Sequence, residues 1–160
     1  PIVKTVKKAL QFKTHLPVYS LSAACGKFGQ GEDVECDGWI PVERKGLDES
    51  FFIVQAVGHS MEPKISNGDF CMFRARPVGP FSKPPGRIYL FQYRGNADPE
   101  TGGAYTIKGY RSHKGPDGFN VKIELVPLNT NSAQPIVFEG PDENLPSRLT
   151  VIAEFIEVLA

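Results

Sequence analysis

From Val18 onward the chain is a series of apolar runs of about five to ten residues, each closed by a glycine- or proline-bearing turn. Runs of that length, rich in β-branched and aromatic residues, read as strands. The candidates are Val18–Ala23, Gly38–Val42, Phe51–Val57, Phe70–Ala75, Ile88–Tyr93, Ala104–Arg111, Asn120–Pro127, Pro135–Phe138 and Leu149–Leu159. A doubly wound sheet would need helices between its strands. The one helical pattern falls earlier, over Val3–Phe12. The expected fold is therefore mainly β, about nine short strands in a sheet coiled on itself. Residues 1–15 read as a linker or N-terminal segment and residues 16–160 as the folded unit. Two polar stretches, Arg76–Arg87 and Arg94–Gly103, read as exposed loops.

With 160 residues the chain has enough length for one real core. The formal net charge is zero, which argues against this unit alone holding a nucleic-acid backbone. The Lys-rich opening "VKTVKKALQFK" reads as a solvated face or linker remnant. The apolar runs are too short to span a bilayer, and no signal peptide is visible. Three cysteines (Cys25, Cys36 and Cys71) at irregular spacing suit free thiols in a reducing, cytoplasmic compartment. The three histidines are far apart, so neither a zinc site nor any cofactor is expected. The start at Pro1 without a methionine fits a piece of a longer protein.

The chemistry centres on "VGHSMEPKISNGDF", Val57–Phe70. Gly58-His59-Ser60-Met61 begins like the nucleophile elbow of an α/β-hydrolase. However, Glu62 stands where the second glycine belongs, and Pro63 with "SNGD" leaves room for about one helical turn. The only downstream histidine, His113, lies in "RSHKGPDG", which reads as a hairpin turn. His59 adjoins Ser60, but neighbouring side chains of an extended segment point apart. It reads as exposed or locally bonded.

A serine hydroxyl needs a base, and a neutral lysine amine can serve. At its usual pKa of ~10.4 a lysine is almost wholly charged near neutrality, and burial lowers that value. "GAYTIKGYR" supplies a candidate: alternation sets Thr106, Lys108 and Tyr110 on one face and Tyr105 and Ile107 on the other. On the strand pattern alone, a solvated lysine on an edge strand is the better reading.

"GHSMEPKISNGD" fits Gly-x-Ser-Met-x-Pro-x-Ile-x-x-Gly-Asp. It resembles the nucleophile motif of the LexA-like Ser–Lys self-cleaving peptidases, the family of LexA, the UmuD polymerase accessories and phage repressors. Signal peptidases share its shorter Ser-Met-x-Pro core. "YTIKGYRS" resembles the family's lysine strand, with Lys108 as the match. "VYSLSAACGKFG" resembles its cleavage segment, with Cys25–Gly26 at the cut. "GWIPV", "VPLN" and "LTVIAEFIEVL" extend the likeness over nearly the whole chain from about Leu16.

The resemblance implies the LexA/signal-peptidase-like coiled fold and self-cleavage within a segment near residues 20–30. Ser60 would be the nucleophile and Lys108 the base, with Gly58 and Met61 in the oxyanion turn. Met61 reads as core filler beneath the turn and Gly68-Asp69 as a structural turn. About 34 residues lie between Cys25 and Ser60, so the chain's own segment can be the substrate and attack is unimolecular. Further implications are a homodimer paired through "VIAEFIEVL", activation by a RecA–single-stranded-DNA filament, and a role in an SOS-type DNA-damage or stress response. DNA binding and transcription regulation would belong to a separate domain. Two other readings stay open: a non-cleaving dimerisation module of a stress regulator, and a signal-peptidase-like enzyme acting in trans. The absence of a membrane anchor weighs against the latter.

Overall fold

The strand pattern is realised as one sheet. The computed structural model describes residues 2–75, 87–93, 104–114, 120–141 and 148–159. Among these, nine strands run β1 (His15–Tyr19), β2 (Gly38–Pro41), β3 (Phe51–Gln55), β4 (Phe70–Ala75), β5 (Ile88–Tyr93), β6 (Tyr105–Lys114), β7 (Asn120–Val126), β8 (Ile136–Pro141) and β9 (Leu149–Val158). Their order is β2-β1-β3-β4-β9-β5-β6-β7-β8. Neighbours are antiparallel except β1 and β3, which are parallel. The expected loops at Arg76–Arg87 and Arg94–Gly103, and the turn after Lys114, lie almost entirely outside the described residues.

Both faces of the sheet are covered, which is why its central strands are apolar throughout rather than alternating. In β3, Phe52 and Val54 enter one cluster with Tyr19, Phe73 and Leu90, while Phe51 and Ile53 enter another with Leu16, Val18 and Met72. A third cluster, around Tyr89, Phe91, Tyr110 and Leu125, fills the β5–β9 end. β9 shifts register against β4 at Met72/Phe73 and against β5 at Leu90/Phe91. Such bulges bend and twist a strand.

Two expectations are corrected. The run Val18–Ala23 is strand only to Tyr19. Leu21–Gln30 is α1, the one α-helix among the described residues. Ser20 caps it by accepting the Ala23 N–H, and Gly31 closes it in a left-handed conformation. Gly26 and Gly29 make α1 weak by itself, so packing holds it. Phe28 stacks on Phe52 with ring centroids 4.1 Å apart. A Cβ on Gly29 would stand 2.5 Å from Ile152 Cδ1, so glycine permits that close approach. Secondly, Val3–Phe12 is not a helix. Only Lys8–Leu10 forms a 3-10 turn, and none of its residues is buried, so it has no packing to sustain more. Val3 instead bridges to Trp39. The closing strand lies inside the sheet order with its pairing divided: Leu149, Thr150 and Val151 pair with β5, Ala153 and Glu154 with both neighbours, and Phe155, Glu157 and Val158 with β4.

On the β6–β7 surface Glu124 accepts from Arg111 Nε at 2.6 Å and pairs with His113 at 3.1 Å, with Lys122 Nζ 3.7 Å away. The hydrogen bond from Arg111, then that from His113, holds its carboxyl below the usual value. A depressed carboxyl stabilises the fold above its unfolded pKa, and that contribution is lost as pH falls through the folded one. Glu124→Gln should therefore lower the neutral-pH denaturation midpoint and flatten its decline below about pH 4. Parallel acid limbs for the two proteins would refute this.

Candidate active site

Ser60 and Lys108 lie far apart in the chain and meet at one small pocket. β3 runs out through Ala56 and Val57 to Gly58, whose φ of 95° is ready for glycine and strained for other residues. The loop that follows is closed at its base by two bonds, Ala56 N–H to the Asp69 carbonyl at 2.8 Å and Gly68 N–H to the Ala56 carbonyl at 2.9 Å. Asp69 Oδ2 accepts the Ser66 N–H at 2.8 Å, which makes Asp69 a structural residue of the turn. Met61 and Ile65 pack into the core beneath it, and the Ile65 N–H reaches the Met61 carbonyl at 2.9 Å. That single turn is the whole of the helix after the serine, as Pro63 and "SNGD" require.

Ser60 is 5 % exposed and Lys108 4 %. They line the same pocket with Leu21, Ala56, Val57, Gly58, Met61, Ile65, Thr106 and Ile107. Its volume is about 20 Å³, room for roughly one water. Among the described lining residues Lys108 is the one with an ionisable amine or carboxyl, and the walls are chiefly aliphatic. β6 lies between β5 and β7, so Lys108 is not the solvated edge lysine that strand pattern alone permits. Its Nζ donates to Thr106 Oγ1 at 2.7 Å. Thr106 is itself buried, and the two share a strand face through the two-residue period.

His59 points elsewhere. Its Nδ1 is 3.0 Å from Glu62 Oε1, its side chain is largely exposed, and it does not line the pocket. Two asparagines brace the serine turn. Asn67 Oδ1 accepts the Gly58 N–H at 2.8 Å. Asn129, between β7 and β8, donates its N–H to the Ser60 carbonyl at 2.8 Å and its Nδ2 to the His59 carbonyl at 3.1 Å. Sequence reasoning gave neither asparagine a role; "VPLN" contains Asn129 but carries no mark of what it touches. Thr106 was on the right face without a function attached.

Cys25 and Gly26 are not at the pocket. Both are buried within α1, Cys25 at 1 % exposure, whereas an extended segment was expected. Burial pushes the Cys25 thiol up to about 12, so it behaves as a small apolar side chain. Leu21, the first residue of α1, does line the pocket, which puts Cys25 about 6 Å farther along the helix axis. Beside the pocket, sharing Leu21 and Val57, opens a larger groove of about 300 Å³ with Tyr19, Asp37, Gln55 and Tyr105 in its walls.

Among the described residues no group of three or more His, Cys, Asp or Glu side chains is placed to hold a metal ion. No helix among them is long and apolar enough to cross a membrane. No protein-family model matches the chain, nor does any curated protein at a significant level.

Proposed function

We propose that the chain is a serine endopeptidase with a Ser60–Lys108 dyad that cuts its own backbone between Cys25 and Gly26. The observation that carries this is the convergence of a buried serine and a buried lysine on one small pocket with chiefly aliphatic walls. A lysine amine removed from water holds its proton less tightly. Donating one N–H to Thr106 Oγ1 fixes the amine and leaves its lone pair for the serine proton. Ser60 Oγ attacks the Cys25 carbonyl carbon while Lys108 Nζ takes the hydroxyl proton. As the tetrahedral intermediate collapses, that proton passes to the Gly26 nitrogen and the C–N bond breaks. Water then hydrolyses the Cys25 ester on Ser60, with Lys108 again the base.

Cutting requires the middle of α1 to unwind and reach the pocket as an extended chain. The two glycines keep the helix's intrinsic stability low. Any partner that favours the unwound state would switch cleavage on by population shift. On this reading the domain is a switch in a DNA-damage or stress response, working in a reducing cytoplasm with its three cysteines free. A RecA–single-stranded-DNA filament is the partner proposed, together with a homodimer paired through the closing strand, whose Phe155, Glu157 and Val158 pair with β4 alone among the described strands.

The groove beside the pocket favours one alternative, action on a peptide from another chain. Intact mass measured over time, at about pH 7 and about pH 10, tests both. Self-cleavage gives a fragment starting at Gly26, faster at the higher pH, at a rate independent of protein concentration. A rate proportional to concentration would move the reading to action in trans. A folded chain that stays whole at both pH values would remove self-cleavage.

A further inference from the structure

We infer that Asn129 is a positioning residue that aims the Ser60 amide at the site of the developing oxyanion. This rests on Ser60 being the nucleophile. The His59–Ser60 peptide is trans, so its carbonyl and its N–H point in opposite directions. The His59 carbonyl accepts from Asn129 Nδ2 at 3.1 Å and from the Glu62 N–H at 3.2 Å. Asn129 is not among the residues that line the pocket. With its carbonyl held towards Asn129, the peptide sends the Ser60 N–H away from that residue.

The Ser60–Met61 peptide is tied in the same sense, because the Ser60 carbonyl accepts the Asn129 N–H at 2.8 Å. Asn129 is itself held. Its Oδ1 accepts the Asn131 N–H at 3.2 Å, and its carbonyl accepts from Ser132 N–H at 3.2 Å and from Ser132 Oγ at 3.3 Å. On the other flank the Gly58 N–H is committed to Asn67 Oδ1. On this inference the Ser60 N–H, turned off Asn129, is the donor that meets the negative oxygen formed when Ser60 Oγ bonds to the carbonyl carbon. A donor fixed before the reaction stabilises that charge with no reorganisation.

The test compares Asn129→Ala and Asn129→Asp with the parent chain. Both keep the main-chain N–H and lose the Nδ2 donor; the aspartate keeps the shape and sets a carboxylate oxygen against the His59 carbonyl. Self-cleavage is followed from about pH 6 to about pH 10, along with labelling of Ser60 by an alkyl fluorophosphonate and thermal melting. Both variants should cut about 10- to 100-fold more slowly at every pH, with the midpoint of the pH profile unmoved. Labelling should slow in step, and the folded state should persist. Cutting within about twofold of the parent overturns the inference. So does a shifted pH midpoint, which would mean an effect through Lys108, and so does loss of the fold in both variants, which would mean a structural role. If the parent chain neither cuts nor labels at Ser60, the nucleophile reading falls and takes this inference with it. An active parent with equally active variants overturns the Asn129 role alone.

Discussion

Lys108→Met is expected to stop production of the Gly26 fragment, by about 10³-fold or more, while leaving the chain at least as stable as its parent. The first effect follows from the chemistry. Without a base, the Ser60 hydroxyl keeps its proton and is a poor nucleophile. No other amine or carboxyl lines the pocket among the described residues. The second effect follows from burial. Lys108 is 4 % exposed, and taking an ammonium out of water is costly, whereas methionine fills a similar volume with no charge. Thr106 Oγ1 loses a donor, which offsets part of the gain. Intact mass and denaturant midpoint, read on the same samples, separate the two. A Lys108→Met chain that cuts at the parent rate would end the dyad assignment. A chain that neither cuts nor folds would mean that the amine is needed for structure.

The largest effect on stability is expected at Phe52→Ala, a loss of about 3–5 kcal/mol. Phe52 is 0 % exposed. Its ring stacks on Phe28 of α1 at 4.1 Å, meets Phe73 of β4 at 5.9 Å and stands 6.3 Å from Tyr19. Truncation opens a cavity where helix and sheet join, in a site that α1, β1, β3 and β4 all help to form. A loss of that size is a large share of the 5–15 kcal/mol typical of a domain. It should appear as a lower urea midpoint with an unchanged slope. A loss below about 1 kcal/mol would mean that the ring cluster is not packed as described.

The sheet was legible because its strands announce themselves by composition and its turns by glycine and proline. Phe70–Ala75 and Ile88–Tyr93 run over the very residues expected. α1 was harder to read, because its apolar stripe of Leu21, Ala24, Cys25 and Phe28 is short and made of small residues, and Gly26 and Gly29 lower its propensity. It exists because Phe28 and Gly29 fit the sheet, and that is a tertiary fact. The Val3–Phe12 pattern failed for the converse reason, a helical period with nothing to pack against. At the site, the motif around Ser60 and the strand around Lys108 stood out. That Lys108 is buried depends on β6 lying inside the sheet, which strand order decides and local pattern does not. The Asn129 clamp joins residues 70 apart in the chain, its Nδ2 donating to the His59 carbonyl, and a main-chain acceptor leaves no trace in residue type.

The position of β9 governs when the site can come into being. One ladder, β2-β1-β3-β4, leads to Ser60; the other, β5-β6-β7-β8, carries Lys108; and β9 is the strand that hydrogen-bonds both. β9 also follows the other eight in sequence, so it is the last of them to leave the ribosome. Until then the two ladders have no shared strand. The two halves of the pocket thus come to share one sheet when synthesis has carried β9 into place.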